Sequence, residues 1–156
     1  MTKSIYLAAP FFSDLQINRV KQVKELLQSN PTVNSENIFV PMEHPMKDTE
    51  METFPWQVGT FEHDVHQIHS SDVVVAILDY QKDGDETLSD SGTVFEIGMA
   101  FEHGTPVVLV QFEETHLVNL MLARSYTAFF NNEEVTELSK YDFNNLPSIF
   151  KDFDVI

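Results

Sequence analysis

Apolar residues fall into two patterns along this chain, short unbroken runs and longer stretches with helical spacing, and the two alternate from the N-terminus. Residues 4–9 predict a short buried strand ended by Pro10. Residues 15–28 then predict a helix, because Leu15, Ile17, Val20, Val23, Leu26 and Leu27 mostly share one face. Asp14 is placed to cap that helix, Asn30-Pro31 closes it, and residues 37–40 form a second strand stopped by Pro41. From 41 to 56 the chain carries three prolines, four acidic residues and His44, the composition of a long surface loop or lid. Residues 61–70 predict a helix. After Asp72, the unbroken run Val73 to Leu78 fits a central parallel strand covered on both faces.

Residues 79–90 read as a polar acidic loop containing Gly84, and 91–103 as a helix closed by Gly104 ahead of a strand at 106–110. A short helix at 117–123, an edge strand at 126–130 and a short helix at 135–141 complete the pattern, before a tail with Asn144, Asn145 and Pro147. The alternation predicts an α/β three-layer sandwich with a doubly wound, mostly parallel five-stranded sheet of the flavodoxin-like or Rossmann-like kind. At 156 residues without internal repeats, residues 1–156 are expected to form one domain. In such a fold, ligands lie beyond the carboxyl ends of the strands.

Composition narrows the partners. Asp plus Glu number 25 against nine Lys plus Arg, a formal charge of -16 that disfavours nucleic acid and anionic membrane and suits a neutral or cationic ligand. With no cysteine, neither a disulfide scaffold nor a thiolate metal site is available. The sequence has no signal-like N-terminal segment and no membrane-length apolar stretch, so a cytoplasmic protein is expected.

Carboxylates carry the candidate chemistry. Glu96 stands among Val94, Phe95 and Ile97 at the start of a helix that follows an acidic loop, and an ionised carboxylate in a shielded pocket is a competent nucleophile or base. The competing reading is a solvent-edge residue like Glu102. Asp90 precedes the same helix, where an aspartate commonly caps; it can cap and bind ligand together only through different oxygens. Asp64, in Glu62-His63-Asp64-Val65-His66, is either helix surface or a carboxyl whose pKa is raised by a neighbouring carboxylate until it can donate a proton. His63, His66 and His69 recur every third residue but lack the His-Glu-x-x-His pattern, and neither a metal nor a cofactor is expected.

The turn after the first strand, Ala8 to Asp14, contains no glycine, which argues against a dinucleotide site or P-loop. Its paired aromatics Phe11 and Phe12, with Tyr6 upstream, are instead suited to stacking on a planar base or to core packing. Asn119, between Val118 and Leu120, is able to bond a sugar hydroxyl or cap a turn.

In these segments the chain resembles the nucleoside 2-deoxyribosyltransferases. Ile5-Tyr6-Leu7-Ala8 followed by Phe12-Ser13-Asp14 is similar to that family's opening strand and base-side loop, and Asp64 stands where the family has the aspartate of an Asn-Asp-Leu segment. Asp90-Ser91-Gly92 through Phe95-Glu96-Ile97-Gly98 resembles the nucleophile motif, and Asn119-Leu120-Met121 the Asn-Leu-Met segment. The likeness extends to Asp142-Phe143-Asn144.

The resemblance implies a two-step exchange of the base on a 2'-deoxyribonucleoside. Glu96 is the nucleophile on C1', Asp64 and Asp90 are the candidates for assisting the departing base, and Tyr6, Phe12, Asp14, Glu43, Asn119 and Met121 bind substrate. It implies deoxyribonucleosides and free nucleobases as partners. It also implies a homo-oligomer built from dimers, commonly a hexamer, in which Asn119 and Met121 reach a neighbour's site. Two departures stand out. After Val40-Pro41-Met42-Glu43 the chain continues His44-Pro45, so base preference is not carried over, and its last aromatic, Phe153, lies three positions short of the end. The alternatives are a deoxynucleoside 5'-monophosphate N-glycosidase, which a carboxylate at position 90 disfavours because it repels phosphate, and a non-catalytic nucleoside-binding module.

Overall fold

The computed structural model describes residues 1–83, 86–112, 118–152 and 155, with residues 80–83 and 86–88 described by backbone only. Gly84, the start of the 117–123 helix and the terminal Phe153 fall outside the described side chains. The main sheet is five-stranded and wholly parallel: β1 (Lys3–Ala8), β2 (Val33–Phe39), β3 (Val73–Ile77), β6 (Val107–Gln111) and β7 (Ala128–Asn131), in the order β2-β1-β3-β6-β7. Helix α1 (Asp14–Ser29) packs on one face; α2 (Phe54–Ser70) and α3 (Ser91–His103) lie on the other. This is the expected three-layer sandwich of flavodoxin-like kind.

Alternation along the strands divides the core. Ile5, Leu7, Val73, Val75 and Ile77 join Val20, Val23 and Leu27 of α1, whereas Tyr6, Ala8, Val74 and Ala76 join Ile68 of α2 and Ile97 and Ala100 of α3. Every residue of β3 and β6 is buried, as unbroken apolar runs require.

Local chemistry shifts several boundaries from those expected. Ser13 rather than Asp14 caps α1, its hydroxyl accepting from Gln16 N, and Asp14 sits in the first turn, where the helix dipole favours an anion. β2 begins at Val33 because it is an edge strand whose middle residues Ser35, Glu36 and Asn37 are exposed and leave no apolar signature. α2 begins at Phe54, so the loop after Pro41 is shorter than predicted. Pro55 occupies the first turn, where a missing N–H costs nothing, and of 17 helical residues only Ile68 is buried. The predicted acidic loop contains an antiparallel hairpin, β4 (Tyr80–Asp83) with β5 (Glu86–Ser89), apart from the main sheet. Helix α3 follows its prediction, from the Asp90 cap to Gly104, whose φ of 84° is a left-handed conformation that glycine adopts without strain.

The C-terminal part closes the α1 face. A 3-10 helix over Asn132–Ser139 replaces the predicted helix at 135–141, and Tyr141 and Phe143 are buried beneath it. Buried Asn30 ties the layers together: its amide donates to the carbonyls of Leu138 (2.6 Å) and Tyr141 (2.8 Å), and its carbonyl accepts from Thr32 N (2.9 Å).

Candidate active site

Parallel pairing sets Tyr6 of β1 directly beside Phe39 of β2. Both side chains face the α2/α3 layer, so the rings stack with centroids 5.5 Å apart at 17°. The Tyr6 hydroxyl donates to Glu96 Oε1 at 2.5 Å, joining the middle of the sheet to the second turn of α3. Burial pushes the Glu96 carboxyl up to about 7; the Tyr6 bond pulls the other way, and the negative charges of Asp64 and Asp90 add to the rise. Tyr6 is raised as well, by burial and then by the charge of Glu96, so it stays a neutral donor.

Asp64 projects from α2 into the same environment. Its carboxyl is raised by burial, against which the positive charges of His63 and His44 act. Asp90 ends the hairpin and caps α3: Oδ2 accepts from Thr93 N (2.8 Å) and Thr93 Oγ1 (2.9 Å). The cap thus uses one carboxylate oxygen. A Cβ on Gly92 would meet Asp90 Oδ2 at 3.3 Å, so the missing side chain keeps the capping carboxylate close to the helix. On the opposite side of the sheet end, Arg19 of α1 donates to nearly buried Asp79, and the Asp79 carbonyl accepts from Asp90 N at 3.3 Å, anchoring the hairpin that delivers Asp90.

The structure therefore brings Tyr6, Asp64, Asp90 and Glu96 together. Phe12 is exposed beyond the end of β1, stacked with Phe11 at 5.4 Å, and its backbone N–H donates to Gln16 Oε1 (2.8 Å). Glu43 lies in the 3-10 turn Pro41–Glu43, with both oxygens held by Lys24 Nζ (2.7 and 2.6 Å). Asn119 turns its carbonyl onto Met121 N (3.0 Å), and Met121 borders an apolar cavity of about 430 Å³ against Gly98 and Phe101. At 3.6 residues per turn, Gly98 and Phe101 lie roughly 140–160° around α3 from Glu96, so this is a different flank of the helix. Among the described residues no group of three or more His, Asp or Glu is placed to hold a metal ion, and no helix is long and apolar enough to cross a membrane.

Two contributors had no sequence-level signal as site residues. Phe39 reads as an ordinary strand residue, and His63 as one member of a three-residue histidine repeat; only strand register shows that Phe39 separates Tyr6 from two imidazoles. The ring of His44 stacks on Phe39 at 4.5 Å and 12°, and that of His63 meets it edge-on at 5.1 Å.

Known proteins share this arrangement of segments. The family model for nucleoside 2-deoxyribosyltransferase matches residues 5–145, spanning Tyr6, Asp64, Asp90 and Glu96. The chain belongs to the nucleoside 2-deoxyribosyltransferase family. A nucleoside deoxyribosyltransferase of Limosilactobacillus fermentum is 31% identical over 153 residues, covering 90% of this chain and 86% of that protein. A 2-deoxyribosyltransferase structure from Bacillus psychrosaccharolyticus superposes with a TM-score of 0.80 at 29% identity, over 95% of this chain and 98% of that one. A CMP N-glycosidase of Clostridium botulinum, 20% identical with a TM-score of 0.52 over 88% of this chain and 97% of its own, shares the fold. Membership in this family supports deoxyribosyltransferase activity and a place in nucleotide metabolism.

Proposed function

We propose that this member of the family exchanges the base of a 2'-deoxyribonucleoside through a covalent deoxyribosyl ester on Glu96. The observation that carries the reading is the Tyr6–Glu96 hydrogen bond inside a cluster that also holds Asp64 and Asp90. A Glu96 oxygen attacks C1' as the glycosidic C–N bond breaks and its electron pair leaves with the base. Protonated Asp64 supplies the proton that neutralises the departing base, a role suited to a carboxyl raised by burial. The incoming base then attacks C1' through a ring nitrogen, the ester C–O bond breaks, and Glu96 recovers its electron pair while Asp64 recovers a proton. Two inversions give net retention. The oxygen of Asp90 not used in capping is available to a sugar hydroxyl.

The working form is a homo-oligomer built from dimers, with Asn119 completing a neighbour's site. This reading is supported by Phe95, Phe101, Leu120 and Met121, each more than half exposed around the flank of α3. Sedimentation at micromolar concentration should then give a mass at least twice 17.9 kDa, and a strictly monomeric active enzyme would refute it.

Deoxyinosine mixed with adenine or cytosine should yield a new deoxynucleoside on chromatography. Hypoxanthine released only from deoxyinosine monophosphate would instead move the chain to nucleotide hydrolysis. Tyr6→Phe retains the stack on Phe39 but removes a bond that favours ionised Glu96. Its carboxyl should rise above about 7, and the acid limb of kcat/KM should move up by about one pH unit. An unmoved limb would show that the hydroxyl does not tune the nucleophile.

A further inference from the structure

The hairpin that ends at Asp90 has little of its own to fix it. Among the described residues β4 and β5 pair with each other and with no strand of the main sheet, and a two-stranded hairpin alone is marginally stable in water. Its base is set at Asp79, where the chain leaves the main sheet just after Leu78 N donates to Val110 O at 2.8 Å. The Asp79 carbonyl accepts from Asp90 N, so the two ends of the hairpin meet at this residue. The Asp79 carboxylate is committed elsewhere: Oδ1 accepts from Arg19 Nη1 of α1 at 2.5 Å, and the two side chains are only 3% and 14% exposed. The guanidinium also lies over the ring of Phe112, the residue after β6, 5.1 Å from its centroid. A planar cation held by both a carboxylate and a ring is restricted to a narrow range of geometries.

We propose that Arg19 is a positioning residue for the transfer reaction: through Asp79 it fixes the base of the hairpin, and thereby the Asp90 oxygen that the α3 cap leaves free. The inference rests on the deoxyribosyl-transfer reading, in which that oxygen holds a sugar hydroxyl. Helices α1 and α3 follow the adjacent strands β1 and β3 and cover opposite faces of the sheet. The pair therefore joins the two sides of the crevice in which this architecture binds ligands. Stability alone does not account for it. Apolar residues of similar volume often replace a buried ion pair without loss of stability, because neither charge then has to leave water. What an apolar pair lacks is direction. Asp90 is held twice, by Thr93 through Oδ2 and by Asp79 through its backbone N–H, and only the second hold depends on Arg19.

The test combines Arg19→Met with Asp79→Leu, which removes both charges and keeps the volume, and uses deoxyinosine as donor and adenine as acceptor. Thermal stability should match or exceed that of wild type, while donor KM rises by about tenfold, the loss of one hydrogen bond, with a smaller change in kcat. Asp90→Ser keeps a capping oxygen and lacks the second one. Because Arg19 acts through Asp90, the paired substitution should change donor KM by less than about twofold in the Asp90→Ser background. A merely structural role would give the same factor in both backgrounds. Unchanged donor KM, or equal losses in the two backgrounds, would overturn the assignment. If the paired variant does not fold, Arg19→Lys, which keeps the charge and loses the flat fork, carries the same cycle. If wild type transfers no base, the transfer reading fails separately, and hydrogen exchange still decides the clamp. Amides of residues 86–91 should then exchange about tenfold faster in the paired variant than in wild type, with those of β1 and β6 unchanged, and equal rates would refute it.

Discussion

Replacing Glu96 by alanine should lower base exchange by about 10⁴-fold or more, the order expected when the nucleophile of a covalent mechanism is removed. The loss should be in kcat, with the deoxynucleoside still bound and no ester formed in a quenched single-turnover experiment. Turnover near the wild-type value would eliminate Glu96 as nucleophile. Stability should move the other way with pH. The Glu96 carboxyl is raised in the folded protein from 4.5 to about 7, so its contribution to stability is fully present below pH 4.5 and is lost as pH rises through 7. Alanine removes a charge whose burial is unfavourable at pH 8. The variant should gain on wild type between pH 5 and pH 8 by up to about 3 kcal/mol, readable from paired denaturation curves. Nucleophilicity and stability are therefore opposed at this residue.

The second large effect is expected at Asp64. Asp64→Asn removes the proton offered to the departing base and should reduce kcat by about 10²–10³-fold, most severely for donors with poor leaving bases. In the free enzyme, before Asp64 takes up the proton it later donates, the substitution also removes a negative charge that raises Glu96. Glu96 would then ionise more readily, and the acid limb of kcat/KM should shift to lower pH, opposite in sign to the shift expected for Tyr6→Phe. A pH–rate series on the two variants separates the roles: one hydroxyl stabilises ionised Glu96 and one carboxylate opposes its ionisation. If Asp64→Asn leaves both kcat and the limb in place, Asp64 neither donates the proton nor senses the nucleophile.

The flank of α3 away from the sheet is apolar and exposed at Phe95 and Phe101. Phe95, Gly98 and Phe101 recur every third residue along one side of the helix, and Phe61 of α2 approaches Phe95 with ring centroids 6.3 Å apart. These residues do not pack into either core cluster. The same spacing in the sequence suits a core face equally well, and only the packing of Ile97 and Ala100 against the sheet assigns the flank to the outside.

By itself the sequence determined the framework wherever local physics is strong. The runs at β3 and β6 could only be covered strands, and α3 carried both its cap, Asp90, and its terminator, Gly104. The ordered segments around Tyr6, Asp64, Asp90 and Glu96 were enough to point to the family. Elements with weak burial were not legible: the polar edge strand β2 and the first turns of α2 bury too little to imprint a period. Tertiary structure alone decided which side chains meet. A hydrogen bond between residues 90 positions apart, and the placement of Phe39 between Tyr6 and two imidazoles, depend on strand register and on the crossover that lays α2 and α3 over the same face. Periodicity fixes which face a residue occupies; the partner across the sheet follows only once the strands are paired.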